Sequence, residues 1–398
     1  MKLLTKFILL LVVVFSVQMV APEWGFYGHR KINRLAVFTL DEDLFPFYKY
    51  HIEFLTAHAV DPDKRRYATK HEAVRHYIDI DHWGDNPFET VPREYAHAFF
   101  KEASFYSINS NLDTTEIAFD HYLNENFLET FEADSLRSLF YKKVDRARYE
   151  DETIVTCSDL GDFLTTPEDC EKILIIDNFS GYGILPYFLP RYYGKLVRAF
   201  EAKDSKSILQ LSADLGHYVG DAHVPLHTTE NYNGQLTDQV GIHAFWESRL
   251  PELFADEEYD FFVGKAEYIP DVSKWIWDVV YDSYDLLDEV LEFEKGLSQT
   301  FPSDQQYCFE ERLEVTIRTQ CEGYSKAYHT KLDGMVEKRM QDAILAIGSI
   351  WLSAWIDAGQ PDVKKILDID WTESDAEVQK ELESLFNGGK IKGRDHDN

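Results

Sequence analysis

His217 and Asp221 stand four residues apart, and so do His243 and Glu247. On an α-helix that spacing puts both side chains of a pair on one face, one turn apart, an arrangement suited to zinc held by nitrogen and carboxylate donors. One such pair is ordinary on a solvated helix face. Two within residues 217–247, with His227 between them, point to metal binding. A second set lies upstream: His29, Asp61 and His76, flanked by Lys64 and Asp79. The run HEAVRH at 71–76 looks like a metalloprotease HExxH, but its histidines are five apart, or about 500° of helical rotation. They cannot share a face, which excludes that protease chemistry.

The elements that must carry these residues read as helices. Asp204 and Ser205 form a cap for a segment in which Ile208, Leu211, Leu215, Tyr218 and Val219 recur at helical spacing, placing His217 and Asp221 on a helix. Ile344, Ile347, Trp351, Ala354 and Trp355 form a broad apolar stripe, stopped by Gly359 and Pro361, that reads as core. Alternating β-branched runs are scarce, the best lying around Ile173–Ile176. The expectation is an all-α fold, a single multi-helix domain over 24–361 followed by a charged tail, 362–398, with a short helix and a mobile end. GYGILPYF (181–188) lacks the Lys-Ser/Thr ending of a phosphate loop and reads as a turn into a helix.

Of 398 residues, 40 are Lys or Arg and 71 are Asp or Glu, a formal charge of −31. That balance argues against capture of nucleic acid or anionic membrane through a broad basic face. Phosphate chemistry on such a chain needs local cations, and metal is the natural source. Lys2 and Lys6 ahead of an apolar run from Phe7 to Phe15 and beyond give residues 1–23 the organisation of a signal peptide. Export makes disulfides available to Cys157, Cys170, Cys308 and Cys321. Three pairings exist, and the two equal separations of 13 favour Cys157 with Cys170 and Cys308 with Cys321.

Five segments together resemble a known family. WGFYGH (24–29), AVDPDK (59–64), RHYIDID (75–81), HYVGDAHVPLH (217–227) and HAFWE (243–247) are similar, in order and internal spacing, to the ligand segments of the zinc-dependent phospholipase C and single-strand nuclease superfamily. The resemblance covers residues 24–250 by motif. It implies an all-α fold around three zinc ions. Asp61, His76, His217 and Asp221 would hold the first, and His227, His243 and Glu247 the second. The third would take His29, a bridging Asp221 and the amino group and carbonyl of Trp24. Metal-activated water would attack phosphorus, with Asp79 orienting it and Lys64 near the phosphate. Freeing the Trp24 amino group requires cleavage after Glu23, where signal peptidase's preference for small residues is not met. The third zinc therefore depends on further trimming or on another ligand, such as the Glu23 carboxylate.

The substrate expected from the resemblance is single-stranded nucleic acid or a nucleotide phosphodiester, cut to leave 5′-phosphates, without a stable nucleic-acid complex. Lys64 and the WGxxGH opening favour that branch. Glu247, where the nucleases generally carry Asp, looks more like the phospholipases, so a phosphatidylcholine-like lipid is the alternative. A third reading is a secreted zinc-binding interaction protein without turnover. His223, two residues from Asp221, reads as structural.

Overall fold

The computed structural model describes residues 24–117, 137–145, 153–160, 166–312, 315–392 and 394; the proposed signal segment, residues 1–23, lies outside the described residues. Helix α1 (Trp24–Ala36) packs against two long helices that form the centre of the molecule. A short helix, α2 (Asp61–Arg65), follows. Then come α3 (Leu185–Ala202) and α4 (Ser205–Ala222), an antiparallel pair joined by a tight turn. Lys203 takes the left-handed conformation there (φ 55°), and Asp204 accepts a hydrogen bond from the Ser207 amide, capping α4. Helices α5 (Val272–Tyr284), α6 (Leu287–Thr300) and α7 (Met335–Asp357) complete the body. Helix α8 (Glu373–Gly388) lies outside it, with no buried residue, started by a Thr372/Asp375 capping box.

The centre of the core is the crossing of α4 and α7, set by the apolar periods read from the sequence. Trp351 is fully buried, donates from Nε1 to the Ser212 carbonyl (3.1 Å) and stacks on Tyr48, whose hydroxyl meets Ser212 Oγ at 2.9 Å. Helix α1 crosses α4 closely because Gly216 and Gly220 present no side chain there. A Cβ on Gly216 would fall 1.6 Å from Asn33 Oδ1, and one on Gly220 would fall 2.7 Å from Ile32 Cδ1 and 3.0 Å from His29 Nδ1. This crossing brings His29 to His217, with stacked rings 3.9 Å apart between centroids.

The fold is mostly helical but not purely α, which corrects the all-α expectation. Strands β1 (Ser104–Asn109), β2 (Thr114–Ile117), β3 (Thr153–Thr156) and β4 (Cys170–Ile176) form an antiparallel sheet in the order β2-β1-β4-β3. The stretch around Ile173 that the sequence marked lies in β4, with Ile173 and Ile175 buried and paired with Ser107 and Phe105 of β1. The other strands are too short to show as alternation. A hairpin of β5 (Tyr307–Arg312) and β6 (Val315–Gln320) stands apart. Disulfides join Cys157 to Cys170 and Cys308 to Cys321, each beside a strand pair, as the equal separations suggested. Among the described residues no helix is long and apolar enough to cross a membrane.

The tail differs from expectation. Lys392, in the stretch read as a mobile end, lies against the body: its amide donates to the Arg66 carbonyl (2.8 Å) and its Nζ to the Ala68 carbonyl (2.8 Å).

Candidate metal centre

Six stretches of chain build the cluster around Asp221. Helix α1 supplies His29, and α2 supplies Asp63. His76 follows a short helical turn, on a loop fixed by the Ile78 amide donating to the His227 carbonyl (2.9 Å) and the Asp79 amide to the Tyr182 carbonyl (2.7 Å). Helix α4 brings His217 and Asp221 to the same face, and a 3-10 turn at Pro225–Thr228 presents His227. His243 and Glu247 sit where a helical turn widens into a π turn over Phe245–Arg249.

The donors form three sets, in each of which the candidate ligand atoms lie within 4.8 Å of one another: His29, His217 and Asp221; Asp63, His76 and His217; and His227, His243 and Glu247. Asp221 joins them. Its Oδ1 lies 3.3 Å from His29 Nε2 and 4.0 Å from His227 Nε2, while its Oδ2 lies 2.9 Å from His76 Nδ1 and 3.4 Å from His217 Nε2. Glu247 links the third set back to the first, 2.8 Å from His243 Nε2 and 3.4 Å from His29 Nε2. His217 Nε2 and His76 Nδ1 face each other at 3.1 Å.

The residues fit divalent ions. The outward nitrogens of three histidines are tied to carbonyls: His217 Nδ1 to Ala59 (2.9 Å), His227 Nδ1 to His76 (2.6 Å) and His243 Nδ1 to Tyr232 (3.1 Å). A donor to a carbonyl must be N–H, so in the neutral ring each Nε2 carries the lone pair and aims it into the cluster, the tautomer a metal ligand needs. All five histidines are buried, among carboxylates whose charge the low-dielectric interior does not favour without cations. Burial alone opposes ionisation of Asp221 and Glu247, yet the histidines around them outweigh it and hold both well below the usual carboxylate range. Burial pushes His217 down to about 4, keeping it neutral and able to donate a lone pair. His29 is also pressed down by burial, but hydrogen bonds to Asp221 and Glu247 prevail and raise it well above its ordinary value.

The chain matches no family model, no curated protein and no solved structure.

The geometry places most, but not all, of the expected residues together. His227, His243 and Glu247 meet as grouped from the sequence, and His29, His76, His217 and Asp221 adjoin them. Asp61 is the exception. Its Oδ2 accepts from His58 Nδ1 (2.6 Å), and its Oδ1 faces Gln379 Nε2 (3.4 Å) and Lys64 Nζ (3.5 Å). Asp63 takes the position at the cluster, 3.6 Å from His217 Nε2 and 3.8 Å from His76 Nδ1. Two residues on a helix are about 200° apart, so only one of these carboxylates can face the cluster. Lys64 is buried and ion-paired with Glu383 of α8. Asp79 is buried and paired with Arg394 at 2.5 Å, a partner from the tail that no sequence spacing signals. Trp24 opens α1; its amino terminus depends on residues 1–23, outside the described residues. His223 points away, its Nδ1 on the Val219 carbonyl (2.7 Å).

A buried ion-pair layer backs the candidate ligands. Glu72 is held down at about 2, where burial is overcome by Arg65 and Arg75, and it accepts a hydrogen bond from Tyr218, whose ring packs against His76 and His217.

Proposed function

We infer that the chain is a secreted zinc-dependent phosphodiester hydrolase, of the phospholipase C and single-strand nuclease type, acting on single-stranded nucleic acid or nucleotide phosphodiesters. The observation that carries this reading is the convergence of three His/carboxylate sets on Asp221. His29, Asp63, His76, His217, Asp221, His227, His243 and Glu247 would hold the ions. Divalent zinc bound there supplies Lewis acidity, activates water and offsets the charge of a phosphodiester.

The chain's own groups do the rest. Asp221 and the carbonyl-tethered histidines keep the donors oriented before any ion arrives. Asp79, pushed up to about 6 by burial against the pull of Arg394, can take or give a proton at its carboxylate near neutral pH. Lys64 reaches a phosphate only once Glu383 releases it. The two disulfides suit an oxidising compartment.

The test is hydrolysis of an end-labelled single-stranded oligonucleotide by the purified chain, with zinc and with chelator, identifying the new ends. Chelator-sensitive cleavage leaving 5′-phosphates is expected. A zinc-loaded chain that cleaves phosphatidylcholine instead would place it in the phospholipase branch, to which Glu247 in the third set lends support. Zinc binding with neither activity would leave a non-catalytic zinc protein.

A further inference from the structure

Arg394, beyond α8, sits beside the loops that carry the metal centre. The Arg394 guanidinium lies between two aromatic rings, 4.0 Å from the Tyr77 centroid and 3.6 Å from that of Tyr232. Its Nη1 donates to Asp79 Oδ1 at 2.5 Å and its Nη2 to the Thr229 carbonyl at 2.8 Å. The Arg394 carbonyl accepts in turn from Arg66 Nη2 at 2.6 Å. These anchors border the donor sets. Tyr232 is the residue whose carbonyl orients His243, Thr229 is two residues past His227, and Arg66 lies 3.5 Å from the Asp63 carboxylate. The guanidinium thus plugs a slot between the His76 loop and the His227–His243 loop, and it occupies Asp79.

The element behind this plug is held as something able to leave. No residue of α8 is buried, and between it and the body lies a cavity of about 1020 Å³, lined by Asp61, Arg65, Asp214, Trp371, Gln379 and Leu382 among others. Its tethers are mostly polar, Glu383 with Lys64, Asp375 with Lys206 and Gln379 with Asp61, and one is apolar, Phe386 on the buried rings of Phe26 and Tyr67. Segments with little buried apolar area and many exposed polar contacts open at low free-energy cost. Arg394 Nε is buried with no hydrogen-bond partner, a donor that release would hydrate.

We propose that α8 and the tail residues Lys392 and Arg394 form an autoinhibitory strap, with Arg394 as its bolt, so that the metal centre works only when the strap lifts. An anionic substrate is a natural opener, since its phosphates compete with Asp79 for Arg394. Lifting frees Asp79, and releasing Glu383 leaves Lys64 with Asp61 alone, so the same motion uncovers the two side chains to which the family resemblance assigns catalytic roles. The proposal rests on the hydrolase reading for its effect on turnover, but not for its effect on access.

The experiment compares the full chain with Arg394→Ala and with a chain shortened to residue 389, each shown to melt as the parent does. Access is read without turnover, by the rate of zinc loss to excess chelator and by carbethoxylation of His227 and His243 in the metal-free chains. A strap closed nine-tenths of the time slows access about tenfold, so both rates are expected to rise by about that factor in both variants. Turnover of bis(4-nitrophenyl) phosphate and of a single-stranded oligonucleotide should rise with them. Unchanged access in both variants overturns the strap. Turnover that falls in fully zinc-loaded Arg394→Ala also overturns it, because Arg394 then holds substrate rather than excluding it. Faster access in chains that all fail to cleave phosphodiesters upholds the strap and refutes the hydrolase reading instead.

Discussion

Asp61 and Asp63 separate what motif spacing implies from what the geometry supports. The Asp63 carboxylate lies within 4 Å of two facing histidine nitrogens, whereas Asp61 is spent on His58, Gln379 and Lys64. A unit charge about 4 Å from another at an effective dielectric of about 20 contributes roughly 4 kcal/mol. The Asp63 side chain is 19% exposed, so halving that for screening leaves about 2 kcal/mol per charge, or about 4 for a divalent ion. Asn keeps one oxygen donor and returns part of it. Asp63→Asn should therefore weaken zinc binding about 100-fold, roughly 3 kcal/mol. Asp61→Asn disturbs only a neighbour of the site and should cost no more than about tenfold. The assay is competition with a chromophoric chelator at pH 7 on metal-stripped chains of matched circular dichroism. If Asp61→Asn is the more damaging change, Asp63 is not a ligand, and the α2 carboxylates are assigned the wrong way round.

Asp79 gives a pH signature. Burial lifts its pKa from 3.8 to about 6, so its contribution to stability is fully present below 3.8 and lost as pH rises through about 6. At 1.36 kcal/mol per unit that is about 3 kcal/mol, so between pH 4 and 7 the parent should lose about that much more stability than Asp79→Asn. Urea midpoints across the range check it, and parallel curves would refute it. Gly220→Ala drives a methyl to 3.0 Å from His29 Nδ1 and should cost about 1–3 kcal/mol in thermal melting and weaken zinc binding as well. Gly194→Ala, on a helix face where the nearest atom is 3.5 Å away, should instead stabilise by about 0.5–1 kcal/mol. Replacing Cys157 and Cys170 by Ala opens a loop of 13 positions and should lower stability by about 3 kcal/mol by denaturant titration.

What was legible in the sequence had a period. Helices α4 and α7 announce themselves through apolar recurrence, and the His217/Asp221 and His243/Glu247 pairs ride on one-turn spacing that survives even where the second pair enters a π turn. The candidate ligand on α2 was not legible, because DPDKR offers two carboxylates and the rotation of a five-residue helix is set by what it packs against, not by its own pattern. The small sheet was missed because its strands, four to seven residues long, bury polar residues such as Ser107 and Thr153 on the inner face beside Phe105, Val155, Ile173 and Ile175, so their sequences show little apolar alternation. Arg394 could not be foreseen at all. Its partner Asp79 is 315 residues away, and the GGKIKGRD stretch around it has the composition of a solvated end.

That last miss bears on the charge of the molecule. A chain of net charge −31 has few cations to spare, yet the described cations nearest the centre are already committed: Arg65 and Arg75 to Glu72, Arg66 to Asp63 and to the tail, Lys64 to Glu383, and Arg394 to Asp79. With those groups engaged, the positive charge that a phosphodiester substrate would require has two proposed sources left, ions held among the histidines and cations released when the strap lifts. Both act through the same mouth. Rising salt screens the Glu383–Lys64 pair more than the buried Arg394–Asp79 pair, so α8 should loosen first, and zinc loss to chelator should quicken only at the higher salt that frees the bolt.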